Sequence, residues 1–232
     1  MSPPGKFSRA PILCYVTDRK GFAYGGDDQK QALLKRVAAA AAAGVDWIQI
    51  REKDLSGKEL SSLTRDAVWQ TKQVNDRKGN ASRILVNDRL DVALGERAGG
   101  VHLGEYSLPA HDVCKWLDAG LDLDERDKFL VGVSCHSVQA AVSAGRGGAD
   151  YIFFGPVFAT PSKASFGAPQ GLQRLAEACS AVTIPVLAIG GITPDNASDC
   201  FAAGAAGIAA IRLFQDADNL AALVNELRAK CA

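Results

Sequence analysis

Eight short apolar runs alternate with segments of helical periodicity along this chain. The runs predict strands at residues 12–16, 45–50, 83–86, 100–103, 130–133, 150–154, 185–189 and 207–211. Eight strands that alternate with helices match a (β/α)8 TIM barrel, in which helices surround a closed parallel sheet. A doubly wound open sheet alternates in the same way, but no G-x-G-x-x-G turn follows the first run. The sequence therefore favours the barrel within the α/β class.

One domain accounts for nearly the whole chain. The 232 residues are 47% hydrophobic, enough to bury the core of a small barrel. Residues 1–10 contain Ser and Pro and are predicted to form a flexible arm, and residues 11–232 form a single barrel domain. In the helix after the fourth strand, Val113, Trp116 and Leu117 are predicted to face inward. The charged segment 118–128 that follows is predicted to be a solvated turn.

Composition excludes several classes of partner. Lys and Arg together number 26, as do Asp and Glu, so no bulk charge favours nucleic acid or an anionic membrane surface. No apolar run reaches the roughly 18 residues of a membrane span. The six cysteines form no C-x-x-C pair, which is typical of reduced thiols in a cytoplasmic protein. The sequence leaves the oligomeric state open, including a homo-oligomer.

The loops at the carboxyl ends of barrel strands build the active site, so side chains there are the candidates for function. The second strand ends in Gln49, Arg51 and Lys53, which share one face because side chains alternate along a strand. An arginine fork and a lysine ammonium on one face can bind a single anion. A solvated charged turn is the alternative interpretation.

The third strand ends in Asn87 and Asp88. A carboxylate beside an amide offers oxygen ligands that suit Mg²⁺, an ion typically held by one or two carboxylates together with substrate phosphates. Alternatively, Asp88 caps the short helix that follows. The local sequence leaves both interpretations open.

Cys135 and His136 follow the fifth strand. Neighbouring residues of an extended chain point in opposite directions, so a nucleophile and base formed by this pair is disfavoured. His136 alone is a candidate acid or base. A structural histidine, bonded to a neighbouring loop, is the alternative.

Two further regions offer sites for phosphate. Gly190 and Gly191 precede a predicted helix, whose N-terminal N–H groups and dipole favour an anion, and Arg212 follows the eighth strand. The sixth strand runs into Gly155-Pro156 and a loop that ends in hydroxyls and a lysine at residues 160–163. Two anion sites on one face of the barrel predict two phosphorylated groups held together.

These residues fall in a series of motifs by which the chain resembles the superfamily of thiamine-phosphate synthase and thiazole tautomerase (TenI-like). The resemblance runs from about Tyr15 to Phe214, and the motifs as a set are specific to the superfamily. In order they are Thr17-Asp18, Gln49-x-Arg51-Glu52-Lys53, Asn87-Asp88-Arg89, Gly100-Val101-His102-Leu103-Gly104, Gly132-Val133-Ser134-x-His136, Gly155-Pro156-x-Phe158-x-Thr160-Pro161-Ser162-Lys163 and Ala188-Ile189-Gly190-Gly191-Ile192.

The resemblance to the synthase implies a reaction and a set of site residues. The reaction joins an aminopyrimidine methyl diphosphate to a thiazole phosphate in thiamine biosynthesis, with loss of pyrophosphate and without a protein nucleophile. Asp88 would hold Mg²⁺ on the diphosphate, and Glu105 is the candidate for a second metal ligand. The implied pyrimidine diphosphate ligands are Gln49, Arg51, Lys53, Asn87, Ser134 and Lys163, of which Arg51, Lys53 and Lys163 act in catalysis. The implied thiazole phosphate ligands are Thr160, Ser162, Gly190, Gly191, Ile211 and Arg212.

Two departures from the synthase pattern keep alternatives open. Ser107 stands where synthases normally carry a second metal carboxylate, and Arg212 where they tend to carry a small hydroxyl residue. Tautomerase relatives also lack that carboxylate, and in them the histidine that matches His136 moves a proton. An isomerase that aromatises a thiazole carboxylate phosphate is therefore the second hypothesis, and a non-catalytic protein that binds thiamine phosphate is the third. The intact Lys53 and loop 160–163 favour the synthase.

Overall fold

In the computed structural model, eight parallel strands close into a barrel in the order of the chain. The structure describes residues 11–23, 27–79, 81–104, 107–160 and 168–231. The prediction of a (β/α)8 barrel is confirmed, while the predicted arm at residues 1–10 lies outside the described residues. The strands are β1 Ile12–Val16, β2 Trp47–Ile50, β3 Arg83–Asn87, β4 Gly100–Leu103, β5 Leu130–Cys135, β6 Tyr151–Phe154, β7 Val186–Ile189 and β8 Gly207–Ala210.

Helices surround the sheet. A short 3-10 helix, Arg19–Gly21, follows β1. The α-helices of the described residues are α1 Asp27–Ala43, α2 Gly57–Lys78, α3 Leu90–Gly95, α4 Ala110–Gly120, α5 Leu123–Lys128, α6 Val138–Arg146, α7 Gly171–Ala181, α8 Pro194–Ala202, α9 Arg212–Gln215 and α10 Leu220–Ala229. None of these helices is long and apolar enough to cross a membrane.

Local sequence signals set several helix ends. Ser56 opens α2 with a capping box, in which its hydroxyl accepts from the Glu59 N–H and the Glu59 carboxylate accepts from the Ser56 N–H. Thr193 opens α8 in the same way with Asn196, and Pro194 occupies the first helical position. These caps follow from residues within one turn of each other, so the sequence predicts them directly.

Two details around α4 differ from the prediction. Val113 and Leu117 are buried, as predicted, but Trp116 is 56% exposed. Trp116 lies three positions after Val113, so its indole is at the edge of the inner apolar stripe of the helix rather than within it. The segment 118–128 contains α5, a six-residue helix in which the Asp122 side chain accepts from the Glu125 N–H over 2.8 Å. A side-chain cap eight residues before the next strand favours a helix over the predicted turn.

The barrel has two apolar layers, because side chains alternate between the two faces of each strand. Outward-facing side chains such as Ile48, Val86 and Val131 pack against the helices. Inward-facing side chains fill the barrel itself. This interior cluster consists of Ile12, Cys14, Val16, Trp47, Leu85, Leu130, Tyr151, Phe153, Leu187 and Ala209.

Candidate active site

A polar ring closes the interior of the barrel at the carboxyl ends of the strands. Strand alternation places Gln49, Asn87 and Ser134 inward, two or four residues beyond the interior residues Trp47, Leu85 and Leu130 of the same strands. His102 of β4 also points inward, where its ring lies 4.1 Å from that of Phe153 between centroids. We call Gln49, Asn87, His102 and Ser134 the polar ring.

Asp88 sets the direction of a chain of hydrogen bonds within the polar ring. Its carboxylate only accepts, so the Asn87 amide donates from Nδ2 to Asp88 Oδ2 over 2.8 Å. Asn87 Oδ1 then accepts from Gln49 Nε2 over 3.0 Å. Gln49 is buried, and within the described residues its Oε1 has no hydrogen-bond donor. This arrangement presents an acceptor toward the open end of the barrel.

Asp88 does not cap α3, because its side chain bonds elsewhere. Asp88 Oδ1 accepts from the Gly104 N–H over 2.9 Å and from the Ser107 hydroxyl. Partial burial raises the pKa of Asp88, but hydrogen bonds from Ser107 and Gly104, the charge of Lys53 and the Asn87 bond outweigh it and lower the pKa below its usual value. Asp88 adopts a φ of 62°, an uncommon backbone conformation outside glycine. The carboxylate is therefore held ionised at a strand end, rather than at a helix cap.

Glu52 holds the end of β2 from the outside. Its carboxylate accepts from the Thr17 hydroxyl over 2.6 Å and from the Arg19 backbone N–H over 3.1 Å. Thr17 Oγ1 in turn accepts from the Arg51 N–H over 3.0 Å. Burial raises the pKa of Glu52 despite these hydrogen bonds and the nearby Arg19 charge. The charges of its neighbours act on the site instead: Arg51 contributes to the lowered pKa of His102, and Lys53 to the lowered pKa of Asp88.

The cations at this end of the barrel differ in how they are neutralised. Arg19 donates to both oxygens of Asp54, over 2.6 and 2.7 Å, and to Glu52 over 3.1 Å. Hydrogen bonds from Arg19, and then from Lys20, lower the pKa of Asp54. In contrast, neither half-buried Arg51 nor exposed Lys53 has a salt bridge to any described carboxylate. Arg51 and Lys53 are thus the cations available to an anionic ligand.

A buried histidine links the polar ring to the interior cluster. His102 Nε2 lies 2.9 Å from Ser134 Oγ, and Nδ1 lies 3.1 Å from Tyr151 Oη. Burial lowers the pKa of His102 to about 3, although Asp88 opposes that effect. His102 is therefore neutral at working pH. Burial likewise raises the pKa of Tyr151 well above its ordinary value, so the phenol keeps its proton.

Cys135 and His136 point in opposite directions, as predicted. Cys135 is buried in the layer between sheet and helices, so it does not form a nucleophile with its neighbour. His136 Nδ1 bonds to the carbonyl oxygen of Gly155. Because a carbonyl only accepts, Nδ1 carries the proton and Nε2 is the basic nitrogen of the neutral ring.

The glycines after β7 are required by a neighbouring loop. Val157 and Phe158 donate their N–H groups to the carbonyls of Ile189 and Gly190, over 2.9 and 3.0 Å. A Cβ on Gly190 would lie 2.6 Å from Pro156 Cβ, and both Gly190 and Gly191 have positive φ, 97° and 67°. The two glycine N–H groups have no acceptor in the part of the chain that the structure describes. An anion in this region could therefore accept from these N–H groups, whereas the first turn of α8 is already capped.

Other predicted site residues are distributed as follows. Ile211 is half-buried and follows β8, Arg212 is exposed at the start of α9, and Thr160 is half-buried after β6. Glu105, Ser162 and Lys163 lie outside the described residues, so their predicted roles stay predictions.

Four residues of the site had no predicted role: Thr17, Glu52, His102 and Tyr151. Thr17, Glu52 and His102 stand inside the motifs, and counting strand alternation from Gln49 would have turned Glu52 outward. The partners could not be found in this way, since Thr17 lies 35 residues from Glu52 and Tyr151 lies 49 residues from His102. Only the closed barrel brings them together.

Comparison with known proteins identifies the family. The family model described as Thiamine monophosphate synthase matches residues 13–214. A protein of Geobacter sulfurreducens, which provisionally carries the name thiamine-phosphate synthase, is 44% identical over 199 residues, or 86% of this chain and 84% of that protein. The thiamine-phosphate synthase of Methanoculleus marisnigri is 41% identical over 193 residues, or 83% of this chain and 85% of that one.

A solved structure agrees with the sequence relatives. The thiamine phosphate pyrophosphorylase from Pyrococcus furiosus is 28% identical, matches 96% of each chain and superposes with a TM-score of 0.76. With the family model spanning most of the barrel and these relatives covering more than four fifths of the chain, the chain belongs to the thiamine monophosphate synthase family.

Proposed function

We propose that this protein is a thiamine-phosphate synthase, a transferase that joins 4-amino-2-methyl-5-(diphosphooxymethyl)pyrimidine to a thiazole phosphate. The observation that carries the proposal is the pair of cations Arg51 and Lys53, which form no salt bridge with a described carboxylate. The charge of Lys53 lowers the pKa of Asp88, and that of Arg51 contributes to the lowered pKa of His102. Two available cations beside a carboxylate fit a diphosphate leaving group. Membership of the family supports the same reaction.

The chemistry requires charge stabilisation rather than a protein nucleophile. The bond between the pyrimidine methylene carbon and the diphosphate oxygen breaks, and its electron pair leaves with pyrophosphate. The lone pair of the thiazole nitrogen then forms the new carbon–nitrogen bond, which gives thiamine phosphate. Arg51 and Lys53 stabilise the negative charge that develops on the leaving group. Lys163 is proposed to reach the same diphosphate.

Mg²⁺ fits the described residues as an ion held by one protein carboxylate. Among them no group of three or more His, Cys, Asp or Glu side chains is placed to hold a metal ion. The Asp88 carboxylate accepts three hydrogen bonds, and a carboxylate offers about four lone-pair sites. Diphosphate oxygens and water would complete the shell, which is a common arrangement for Mg²⁺. The bound ion would supply positive charge to the departing pyrophosphate, and Glu105 is proposed as a second ligand.

The thiazole phosphate is proposed to bind near the ends of β6, β7 and β8. The N–H groups of Gly190 and Gly191 offer donors, and Arg212 offers a positive charge nearby. Thr160, Ser162 and Ile211 complete the proposed set. Both substrates would then lie over the polar ring, which brings the thiazole nitrogen and the pyrimidine methylene carbon together.

One observation favours a second candidate function, a thiazole tautomerase. The Gly155 carbonyl holds the proton of His136 on Nδ1, so Nε2 is the nitrogen that could take a proton from a ligand. A His136→Asn variant separates the two candidates. The tautomerase candidate requires that the variant lose aromatisation of a thiazole carboxylate phosphate, and unimpaired aromatisation would rule out proton transfer by His136. The synthase reaction should continue in the variant.

The decisive experiment measures pyrophosphate release from both substrates, with Mg²⁺ and with EDTA. We expect release coupled to thiamine phosphate formation, and strong inhibition by EDTA. Lys53→Ala should lower kcat/KM by about tenfold to a hundredfold, as expected for losing a charge-assisted hydrogen bond. Lys58→Ala, which removes an exposed lysine from the first turn of α2, is the matched control and should leave kcat/KM unchanged.

The absence of pyrophosphate release from folded protein would refute the synthase. Binding of thiamine phosphate without turnover of either reaction would instead identify the non-catalytic alternative. A cytoplasmic location and a homo-oligomeric state stay predictions, and light scattering of the purified protein tests the second.

A further inference from the structure

His102, Tyr151 and Ser134 contact each other because the position between them, in β5, is a glycine. In the sheet register, Gly132 of β5 pairs with His102 of β4 on one side and with Tyr151 of β6 on the other. A Cβ at Gly132 would overlap the phenol ring of Tyr151. Glycine therefore lets Tyr151 reach across β5 to His102. Ser134, the next inward residue of β5, lies on the other ring nitrogen of His102.

Tyr151 determines which nitrogen of His102 carries the proton. Tyr151 is fully buried, and among the described residues His102 Nδ1 is the one hydrogen-bond partner of its hydroxyl. If Nδ1 carried the proton, the phenol would have to accept, and its own hydrogen would be buried without an acceptor. That penalty favours donation by the phenol by about fivefold or more. In the neutral ring the proton then lies on Nε2.

The direction of the last hydrogen bond follows. Nε2–H donates to Ser134 Oγ over 2.9 Å, so the hydroxyl hydrogen of Ser134 cannot point at His102. Within the described residues the Ser134 hydroxyl makes no other hydrogen bond. Its hydrogen is therefore directed to whatever binds above the polar ring, whereas Gln49 presents an acceptor there.

We propose that Tyr151 and His102 are positioning residues that fix Ser134 as a hydrogen-bond donor to the substrate. The matching group of the substrate is a hydrogen-bond acceptor, either an unprotonated ring nitrogen of the pyrimidine or an oxygen of the diphosphate. The identity of this substrate, a pyrimidine diphosphate, rests on the proposed function. The relay itself is a property of the ligand-free protein.

Nitrogen-15 NMR of the histidine rings tests the relay without any substrate. The chain has three histidines, and His102→Gln identifies the His102 signals by their loss. We expect an unprotonated Nδ1 and a protonated Nε2 in the wild-type protein. In Tyr151→Phe the phenol no longer donates, so signals of the Nδ1–H tautomer should appear. A protonated Nδ1 in the wild-type protein overturns the inference.

Kinetics provide the second test. Tyr151→Phe should lower kcat/KM about threefold to tenfold, as expected for losing the orientation of one hydrogen bond. His102→Gln retains a donor for Ser134 and an acceptor for Tyr151, so it should stay closer to wild type than His102→Leu. Equal activity of the Gln and Leu variants, with both folded, contradicts the positioning role.

Two ligands distinguish the source of the acceptor. Calorimetry compares the binding of pyrophosphate and of the phosphate-free hydroxymethyl aminopyrimidine to wild-type protein and to Ser134→Ala. Weaker binding of one of them supports the proposal and identifies the acceptor, and unchanged binding of both refutes it. If the NMR shows the Nε2–H tautomer but no pyrophosphate is released in the assay, the proposed function fails and the relay stands.

Discussion

Replacing the buried His102 should reduce the loss of unfolding free energy that acid causes. The folded-state pKa of His102 is lowered to about 3 from an ordinary value of 6.5. As the pH falls below 6.5, His102 of the unfolded chain binds a proton, whereas His102 of the folded protein stays neutral. Acid therefore lowers the free energy of unfolding. Each pH unit in this range costs about 1.4 kcal/mol, which gives about 2 kcal/mol between pH 7 and pH 5. His102→Gln has no such proton to bind and should lose about 2 kcal/mol less than wild type over that interval.

Urea unfolding at both pH values, in the presence of EDTA, measures this difference. Depressed carboxylate pKa values, such as that of Asp88, also reduce stability toward acid, but they are common to both proteins and cancel in the comparison. His111→Gln is the matched control, since His111 is exposed on α4, and it should keep the wild-type pH dependence. The reasoning is refuted if His102→Gln and wild type lose the same stability between the two pH values.

Three further substitutions test the surroundings of the site. Gly132→Ala should lower the free energy of unfolding, measured in urea, by about 1–3 kcal/mol or more, since its Cβ would overlap Tyr151. Gly120→Ala is the control: Gly120 has open space around it, so the free energy of unfolding should stay the same or rise by up to about 1 kcal/mol. Glu52→Gln weakens the bonds that hold the end of β2, and should raise KM for the pyrimidine diphosphate on the order of tenfold, whereas an unchanged KM would show that Arg51 and Lys53 are held without it. Asp88→Asn should lower activity and abolish its response to added Mg²⁺, and a variant that still responds to the ion would place the metal elsewhere.

The sequence predicted the parts of this protein that depend on short-range patterns. Alternation along β2 predicted one face for Gln49, Arg51 and Lys53, and the capping partners of Ser56 and Thr193 lie three residues from them in sequence. The opposite orientation of Cys135 and His136 follows from the same two-residue period. These features need no knowledge of which strands are neighbours.

Features that depend on several strands at once could not be predicted. Whether Asp88 caps α3 or serves the site is decided by Gly104 and Ser107, which belong to the next strand end. The His102 relay needs β4, β5 and β6 in one register, together with the missing side chain at Gly132. Trp116 was predicted from a short-range pattern to face inward, and this prediction was wrong. The inner apolar stripe of its helix is narrow, so the residue at its edge is exposed.

The order of charges in Arg51-Glu52-Lys53 has a physical reason in this fold. In a flexible loop, a carboxylate between two cations would pair with one or the other, and the diphosphate would then have to compete with it. Here Glu52 is turned to the outside, where Thr17 and Arg19 satisfy it. Arg19 is itself paired with both oxygens of Asp54. Glu52 therefore holds the backbone of this segment in place, and the charges of Arg51 and Lys53 stay available to the ligand. Glu52→Ala should disturb both cations together, whereas Lys53→Ala removes one and leaves Arg51 in place.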